Sequence, residues 1–248
     1  MRPDAVETVA VIAGGQAISP AVAARVGDVD YVIAADSGLQ AAERLGLVVD
    51  VVVGDLDSVD PALLERRDLE VDRHPRAKDQ TDIVLALDRA RDTGATEAIV
   101  VSGGGGRLDH ALANLLVLAS PRYAQMRIRA LVGEAEVAVV RHRHTMTAPA
   151  GTVVSLFAVD GPALGVTTEG LRYPLRDEVL DPLSSRGVSN EFSGGPASIT
   201  IAHGALLVIR PGGERRDSQR EERHHAAQPR PTSRPRHTTL PTRGGDRS

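Results

Sequence analysis

The chain has 248 residues with 29 basic and 33 acidic side chains, a net charge of −4, no Cys, no Trp and only three Tyr and two Phe. At roughly 100–200 residues per domain this length makes one large domain or two modest ones, and the absence of Cys excludes disulfides, thiolate nucleophiles, Cys-ligated zinc and iron–sulfur clusters. So few aromatics leave little for a base-stacking nucleic-acid surface, no apolar run approaches the ~20 residues of a membrane span, and Asp4 and Glu7 precede any apolar stretch, so a soluble cytoplasmic protein binding neither nucleic acid nor membrane is expected.

Short β-branched runs at Val9–Ala13, Tyr31–Ala35, Val51–Val53, Ile99–Val101 and Ile128–Val132 read as buried strands. Helical patterns lie between them at Ser19–Arg25, Gly38–Leu45, Pro61–Arg67, Asp79–Arg91 and Arg107–Leu118. Such alternation predicts an α/β fold with a mostly parallel sheet covered on both faces, over residues 1–133. From about Val137 the pattern changes to short strands (Val137–Val140, Thr152–Val159, Ser198–His203, Leu206–Ile209) separated by Pro, Gly and Asp turns. A smaller antiparallel β-sandwich is therefore expected over 134–212. Residues 213–248 are Arg, Pro, Thr, Gln and His with almost no apolar side chains, a tail expected to be disordered. The charge splits accordingly: residues 214–248 carry +4 and the rest −8.

Four segments at predicted strand or helix ends have chemistry-bearing residues. Asp36, in Ala35-Asp36-Ser37-Gly38, reads either as a turn or as a carboxylate facing a ligand at the sheet edge. Gly54-Asp55-Leu56-Asp57-Ser58 places two carboxylates at i and i+2 directly after a buried strand, a pair that a divalent cation would neutralise. Gly54 lets a ligand approach the backbone. Lys78-Asp79-Gln80-Thr81-Asp82 opens a helix, with Asp79 as N-cap and Asp82 three residues on, resembling a capping box. Helical spacing also puts both acids on one face beside Lys78, the sole Lys in a chain with 28 Arg. Its compact ammonium suits a phosphate. The span Asp50–Asp82 holds ten acids against five bases, an excess in a folded segment. Finally, Gly103-Gly104-Gly105-Gly106-Arg107-Leu108-Asp109-His110 offers free backbone N–H groups at a helix start, an anion-binding concavity without Walker A or dinucleotide-fold spacing. Arg107 and Asp109 at the junction suit a ligand clamp, and His110 faces Asn114 one turn on.

In this order and spacing, the four segments resemble the thiamine pyrophosphokinase family. The second half adds Thr168-Glu169-Gly170-Leu171-Arg172-Tyr173-Pro174-Leu175, Val188-Ser189-Asn190-Glu191-Phe192 and Gly204–Ile209. The resemblance spans residues 8–211 and implies a homodimer that transfers the pyrophosphoryl group of ATP to thiamine, releasing AMP. It implies that Asp55, Asp57 and Asp82 hold Mg²⁺, with Asp79 nearby. Asp36, Gly54, Ser58, Lys78, Thr81 and Gly103–Gly106 would frame the nucleotide. Arg107 and Asp109 would face thiamine, and Tyr173 (often Trp in the family), Ser189 and Asn190 would form its other wall from the partner subunit. Two alternatives stand beside this: a metal-dependent phosphatase using the Asp-x-Asp segment as nucleophile, and a catalytically silent thiamine- or nucleotide-binding protein.

Overall fold

A computed structural model describes residues 6–66, 68–76 and 79–212. Lys78 and the 213–248 tail, both singled out above, lie outside the described residues. Six strands, β1 (Thr8–Ala13), β2 (Tyr31–Ala35), β3 (Val51–Gly54), β4 (Glu70–Arg73), β5 (Glu97–Ser102) and β6 (Arg127–Val132), pair in parallel in the order β4-β3-β2-β1-β5-β6. Their apolar runs serve two cores at once. On β1, Val9, Val11 and Ala13 face one core while Ala10 and Ile12 face the other, the period of two that a doubly covered strand requires.

Two helices cover opposite faces. α2 (Gly38–Arg44) contributes Leu39, Ala41 and Ala42 to one core, and α4 (Asp82–Asp92) contributes Ile83, Leu85, Ala86, Leu87 and Ala90 to the other. The short α1 (Pro20–Ala23) and α3 (Pro61–Leu64) each start at Pro behind a capping side chain, Ser19 and Asp60. The helix expected from Asp79 begins three residues later: Thr81 is its N-cap, without a side-chain cap bond, and Asp79 lies in a bend before it. Asp82 thus opens the helix, where a carboxylate complements the dipole. α5 (Leu108–Leu118) is unusual, for Leu118 alone is buried, while Leu108, Leu112 and Leu116 are exposed.

At Gly133 the chain turns from β6 into β7 (Ala135–Val140), the first antiparallel partner. One sheet then continues through β13 (His203–Arg210), β9 (Val153–Glu169), β12 (Gly195–Thr200) and β8 (Arg143–Ala148), while the short β10 (Glu178–Leu180) and β11 (Asn190–Glu191) also pair with β9. The α/β half followed by an antiparallel half is the expected architecture. Some strands differ from the reading above. β9 runs ten residues past Val159, because Asp160-Gly161 bends it through positive φ (61° and 97°) without ending it. β4 and β8 escape a hydrophobicity pattern because each is an edge strand with charged or polar alternate positions. A third core, including Leu156, Val166, Leu175, Leu180 and Phe192, fills this half. Glu136 on β7 bonds Arg25 (3.0 Å) after α1 and Arg210 on β13, which fastens the two halves together.

Candidate active site

Strands β2 to β4 extend the sheet to one side of β1, and β5 returns to the other, so the topological switch point lies between β1 and β5. Ligands of open α/β sheets bind outside the carboxyl ends of the strands at such a point. Asp36 follows β2, Gly54-Asp55 ends β3, Gly14-Gly15-Gln16 follows β1 and Gly103–Gly106 follows β5, so all four lie on that edge.

Among the described residues, Asp36, Asp55 and Asp57 form a group in which one carboxylate oxygen from each lies within 4.8 Å of the others. The Asp57 N–H donates to Asp55 Oδ1 (3.2 Å) and the Ser58 hydroxyl to Asp57 Oδ1 (3.1 Å), so the loop holds its own acids in place. Between them Leu56 takes a left-handed φ of 63° while staying buried in the α2-side core, and Asp36 has φ 46°. Left-handed backbone at non-glycine residues is a cost that persists where the surroundings impose it. Here a buried leucine anchors a turn whose flanking carboxylates face outward. A Cβ on Gly54 would lie 3.2 Å from both Asp82 Oδ1 and Asp36 Cβ, so these acids close around a residue that must lack a side chain. Burial, and then the neighbouring charges of Asp82 and Asp55, push the Asp36 carboxyl above its ordinary value against hydrogen bonds from Ser37 and Ser58. Asp36 Oδ1 is buried without a hydrogen-bond partner. An orphaned carboxylate oxygen, two further carboxylates within reach and hard oxygen donors throughout fit a divalent cation such as Mg²⁺. Arg76 (3.3 Å from Asp57 Oδ2) and Arg73 (donating to the Asp55 carbonyl, 3.3 Å) stand at the rim.

Exposed Asp79 and the N-cap Thr81 precede α4, whose first residue, Asp82, lies against Gly54. Gln80 reaches Asp88 (3.5 Å), which also accepts from the Tyr123 hydroxyl (3.1 Å) and pairs with Arg122 (2.6 Å). The loop carrying the motif is thereby tied to the body of α4.

The glycine loop borders a cavity of about 260 Å³ beneath α5, floored by Ile83, Val100, Ala130 and Val132 and rimmed by Gln16, His110 and Asn114. A Cβ on Gly103 would run into the Gln16 carbonyl oxygen, so this glycine is required by close approach of the β1 loop. Gln16 is a residue the sequence reading missed, although Gly14-Gly15 after the first strand was a usable signal. Arg107 and Asp109 form a bidentate pair (2.6 and 3.2 Å) on the surface, and the guanidinium lowers the Asp109 carboxyl to about 2. His110 and Asn114 both line the cavity.

Tyr173, Ser189 and Asn190 meet in a separate pocket of about 480 Å³. Asn190 is buried, donating to the Tyr173 carbonyl (2.7 Å) and accepting from its N–H (3.0 Å), so its amide sets the Tyr173 backbone. The Tyr173 ring is half exposed, with the Arg172 guanidinium 5.5 Å from its centroid. Ser189 has φ 56°, and its N–H donates to the Ser155 hydroxyl (3.0 Å).

Two family models match the chain in succession: the thiamin pyrophosphokinase catalytic domain over residues 23–130, and the thiamin pyrophosphokinase vitamin B1 binding domain over 140–206. The chain belongs to the thiamine pyrophosphokinase family. The acid cluster and the Gly103–Gly106 loop fall within the catalytic-domain match, and the Tyr173 pocket falls within the vitamin B1 binding match. The thiamine pyrophosphokinase of Bacillus subtilis (strain 168) is 25% identical over 220 residues, covering 82% of this chain and 98% of its own. A crystal structure of the thiamine pyrophosphokinase from Bacillus subtilis superposes with a TM-score of 0.73 at 24% identity, covering 84% of this chain and all of that one. The family protein from Enterococcus faecalis gives a TM-score of 0.67 at 25% identity, with 84% and 100% coverage. Membership in the thiamine pyrophosphokinase family displaces the phosphatase alternative. Among the described residues no helix is long and apolar enough to cross a membrane.

Proposed function

We propose that this member of the thiamine pyrophosphokinase family uses ATP and Mg²⁺ to convert thiamine to thiamine diphosphate and AMP, with residues 1–133 as its nucleotide half and 134–212 as its thiamine half. The observation that carries the reading is the convergence of Asp36, Asp55 and Asp57 at the switch-point edge, with Asp82 beside Gly54. Asp55, Asp57 and Asp82 are the assigned metal ligands, and Asp36 joins them because its buried oxygen has no protein partner. The bound ion would offset the charge of the triphosphate and of the acids themselves. Attack at the β-phosphorus needs in-line positioning more than covalent chemistry. The chain's own part is therefore to fix the carboxylates, through the Asp55–Ser58 turn and the Gln80–Asp88 tie, and to present backbone N–H groups from Gly103–Gly106. The apolar cavity beside that loop, with Gln16 at its mouth, has room for the base. Gly54, Ser58 and Thr81 are assigned to the nucleotide side of the acids, and Lys78 keeps the phosphate-binding role that its motif implies. Arg107 and Asp109 face the acceptor.

The exposed stripe Leu108, Leu112 and Leu116 supports a homodimer. With Phe157, Pro182 and Ile209, residues of this stripe border an almost wholly apolar groove of about 420 Å³. A patch of this kind marks an interaction surface. A second copy covering it would complete the acceptor site from the partner subunit. The reading as a whole is tested by incubating the protein with ATP, Mg²⁺ and thiamine. AMP and thiamine diphosphate are the expected products, whereas ADP and thiamine monophosphate would overturn it. A cytoplasmic location accords with this substrate pair.

A further inference from the structure

The pocket around Tyr173 poses an electrostatic problem. Thiamine carries a permanent positive charge on its thiazolium ring, yet the wall formed with Tyr173, Ser189 and Asn190 also includes Arg186. A guanidinium is charged at every accessible pH. Facing a cationic ligand without compensation, it would weaken binding. The structure supplies compensation from outside the pocket lining. Glu178, on β10, receives two parallel bonds from Arg186, Nε to Oε2 at 2.8 Å and Nη2 to Oε1 at 2.8 Å. Such fork-to-fork pairs combine charge with fixed geometry. Arg172, whose guanidinium lies over the Tyr173 ring, is likewise matched, by Glu191 at 2.9 Å.

The loop bearing Arg186 does not depend on Glu178 for its path. The Ser184 N–H donates to the Asp181 carbonyl (3.0 Å) and the Val188 N–H to that of Ser185 (3.1 Å). The Arg186 N–H donates to the Ser184 hydroxyl (3.0 Å), and the Leu156 N–H of β9 donates to the Gly187 carbonyl (3.0 Å). The Glu178 carboxylate therefore has a role distinct from building the loop, one that its pairing with Arg186 identifies.

We infer that Glu178 is a specificity-determining residue of the acceptor pocket: by neutralising Arg186 it makes a site with an arginine in its wall acceptable to a cationic substrate. The inference rests on the proposed function, in which residues 134–212 are the thiamine half, and takes the pocket of Tyr173, Ser189 and Asn190 within it as the thiamine wall. A carboxylate removed there leaves a full positive charge near the ligand, partly screened by solvent, and the expected effect on affinity is about five- to tenfold at low salt.

The test compares the parent protein with Glu178→Gln, Arg186→Gln and the double variant. Thiamine binding is measured by calorimetry, and steady-state kinetics are run with each substrate varied in turn, at low and raised ionic strength. Glu178→Gln is expected to raise the thiamine Kd and KM by about five- to tenfold at low salt and less at high salt, with kcat and the KM for ATP unchanged. The double variant is expected to return to within about twofold of the parent, because neither charge remains. Unchanged thiamine affinity in Glu178→Gln, or a double variant as impaired as the single one, overturns the inference. The second result would mean that the pair only holds structure. Failure of the parent to bind thiamine at all overturns the inference together with its premise. Binding without formation of thiamine diphosphate overturns the proposed reaction while leaving this inference to stand on the calorimetry.

Discussion

Asp36→Asn separates the cost of the proposed metal site from its use. The substitution conserves shape but removes a carboxylate whose Oδ1 is buried and unpartnered and whose ionised form is opposed by burial and by Asp82 and Asp55. An unsatisfied buried polar group costs about 1–3 kcal/mol, with charged groups at the upper end. An amide retains some of that cost, so the metal-free variant is expected to gain about 1 kcal/mol over the parent. In a folded unit of this size that raises Tm by about 2–4 °C. With Mg²⁺ the order reverses. A ligand at a hundred times its Kd stabilises the native state by about 2.7 kcal/mol, and the parent should show that rise while Asp36→Asn shows little of it. Turnover should fall by about 10²–10³-fold, as it does when a preorganised charge partner is lost from a transition state. Thermal unfolding with EDTA and then across a Mg²⁺ titration, alongside AMP release, reads all three quantities. A variant less stable than the parent without metal, yet equally responsive to Mg²⁺, would refute the reasoning, for Asp36 would then be a structural turn residue and not part of the ion site.

Asp57→Asn should lower kcat by orders of magnitude with little change in Tm, since its side chain is partly exposed and its carboxylate makes a surface pair with Arg76 and a bond from the neighbouring Ser58 hydroxyl, both at the surface; this is checked by single-turnover product formation. Leu112→Glu with Leu116→Glu should shift the protein toward monomer in sedimentation and lower turnover if the partner subunit completes the acceptor site, while far-UV circular dichroism stays unchanged because both side chains already face solvent. Asp109 should titrate near 2 by carboxyl NMR and move back toward 3.8 in Arg107→Gln. Its folded value lies below the unfolded one, so any stability this pair adds is present above the ordinary carboxylate range and is lost as pH falls toward 2. Burial likewise holds His144 below 6.5, so its contribution to stability should fall as pH drops through 6.5, and a urea series on His144→Gln should flatten that slope.

What could be read from the residues was whatever depends on local pattern. The runs Val9–Ala13 and Val51–Val53 announce buried parallel strands because both of their faces are covered, and each acid or glycine that follows such a run inherits a place at the carboxyl edge. Three things were set by tertiary structure instead. The start of α4 at Asp82 shows that an apparent capping box can be overruled when the chain must bring that carboxylate against Gly54. The long β9 continues because a bulge at Asp160-Gly161 lets one strand serve successive partners, which no turn signal distinguishes from a true turn.

The third case bears on function. Gln16 and Glu178 lie outside every matched motif. Each reaches its site through strand order: Gln16 because β1 neighbours β5, and Glu178 because β10 pairs with β9 beside the loop carrying Arg186. Sequence motifs identify residues that touch a ligand at short range, whereas residues that adjust charge or shape from the next strand have no spacing of their own to be recognised. The net charge of −4 illustrates the same point. It conceals an excess of ten acids over five bases in Asp50–Asp82, and only the folded arrangement shows that some of these acids, such as Glu70 with Arg89, sit in ion pairs while Asp55 and Asp57 join Asp36 at the sheet edge. The paired acids contribute little beyond solubility and local order. Among the grouped ones, Asp36 is held above its ordinary carboxyl value by burial and by its acidic neighbours, and in the proposed function that cost is what binding of a divalent cation would relieve as the site assembles.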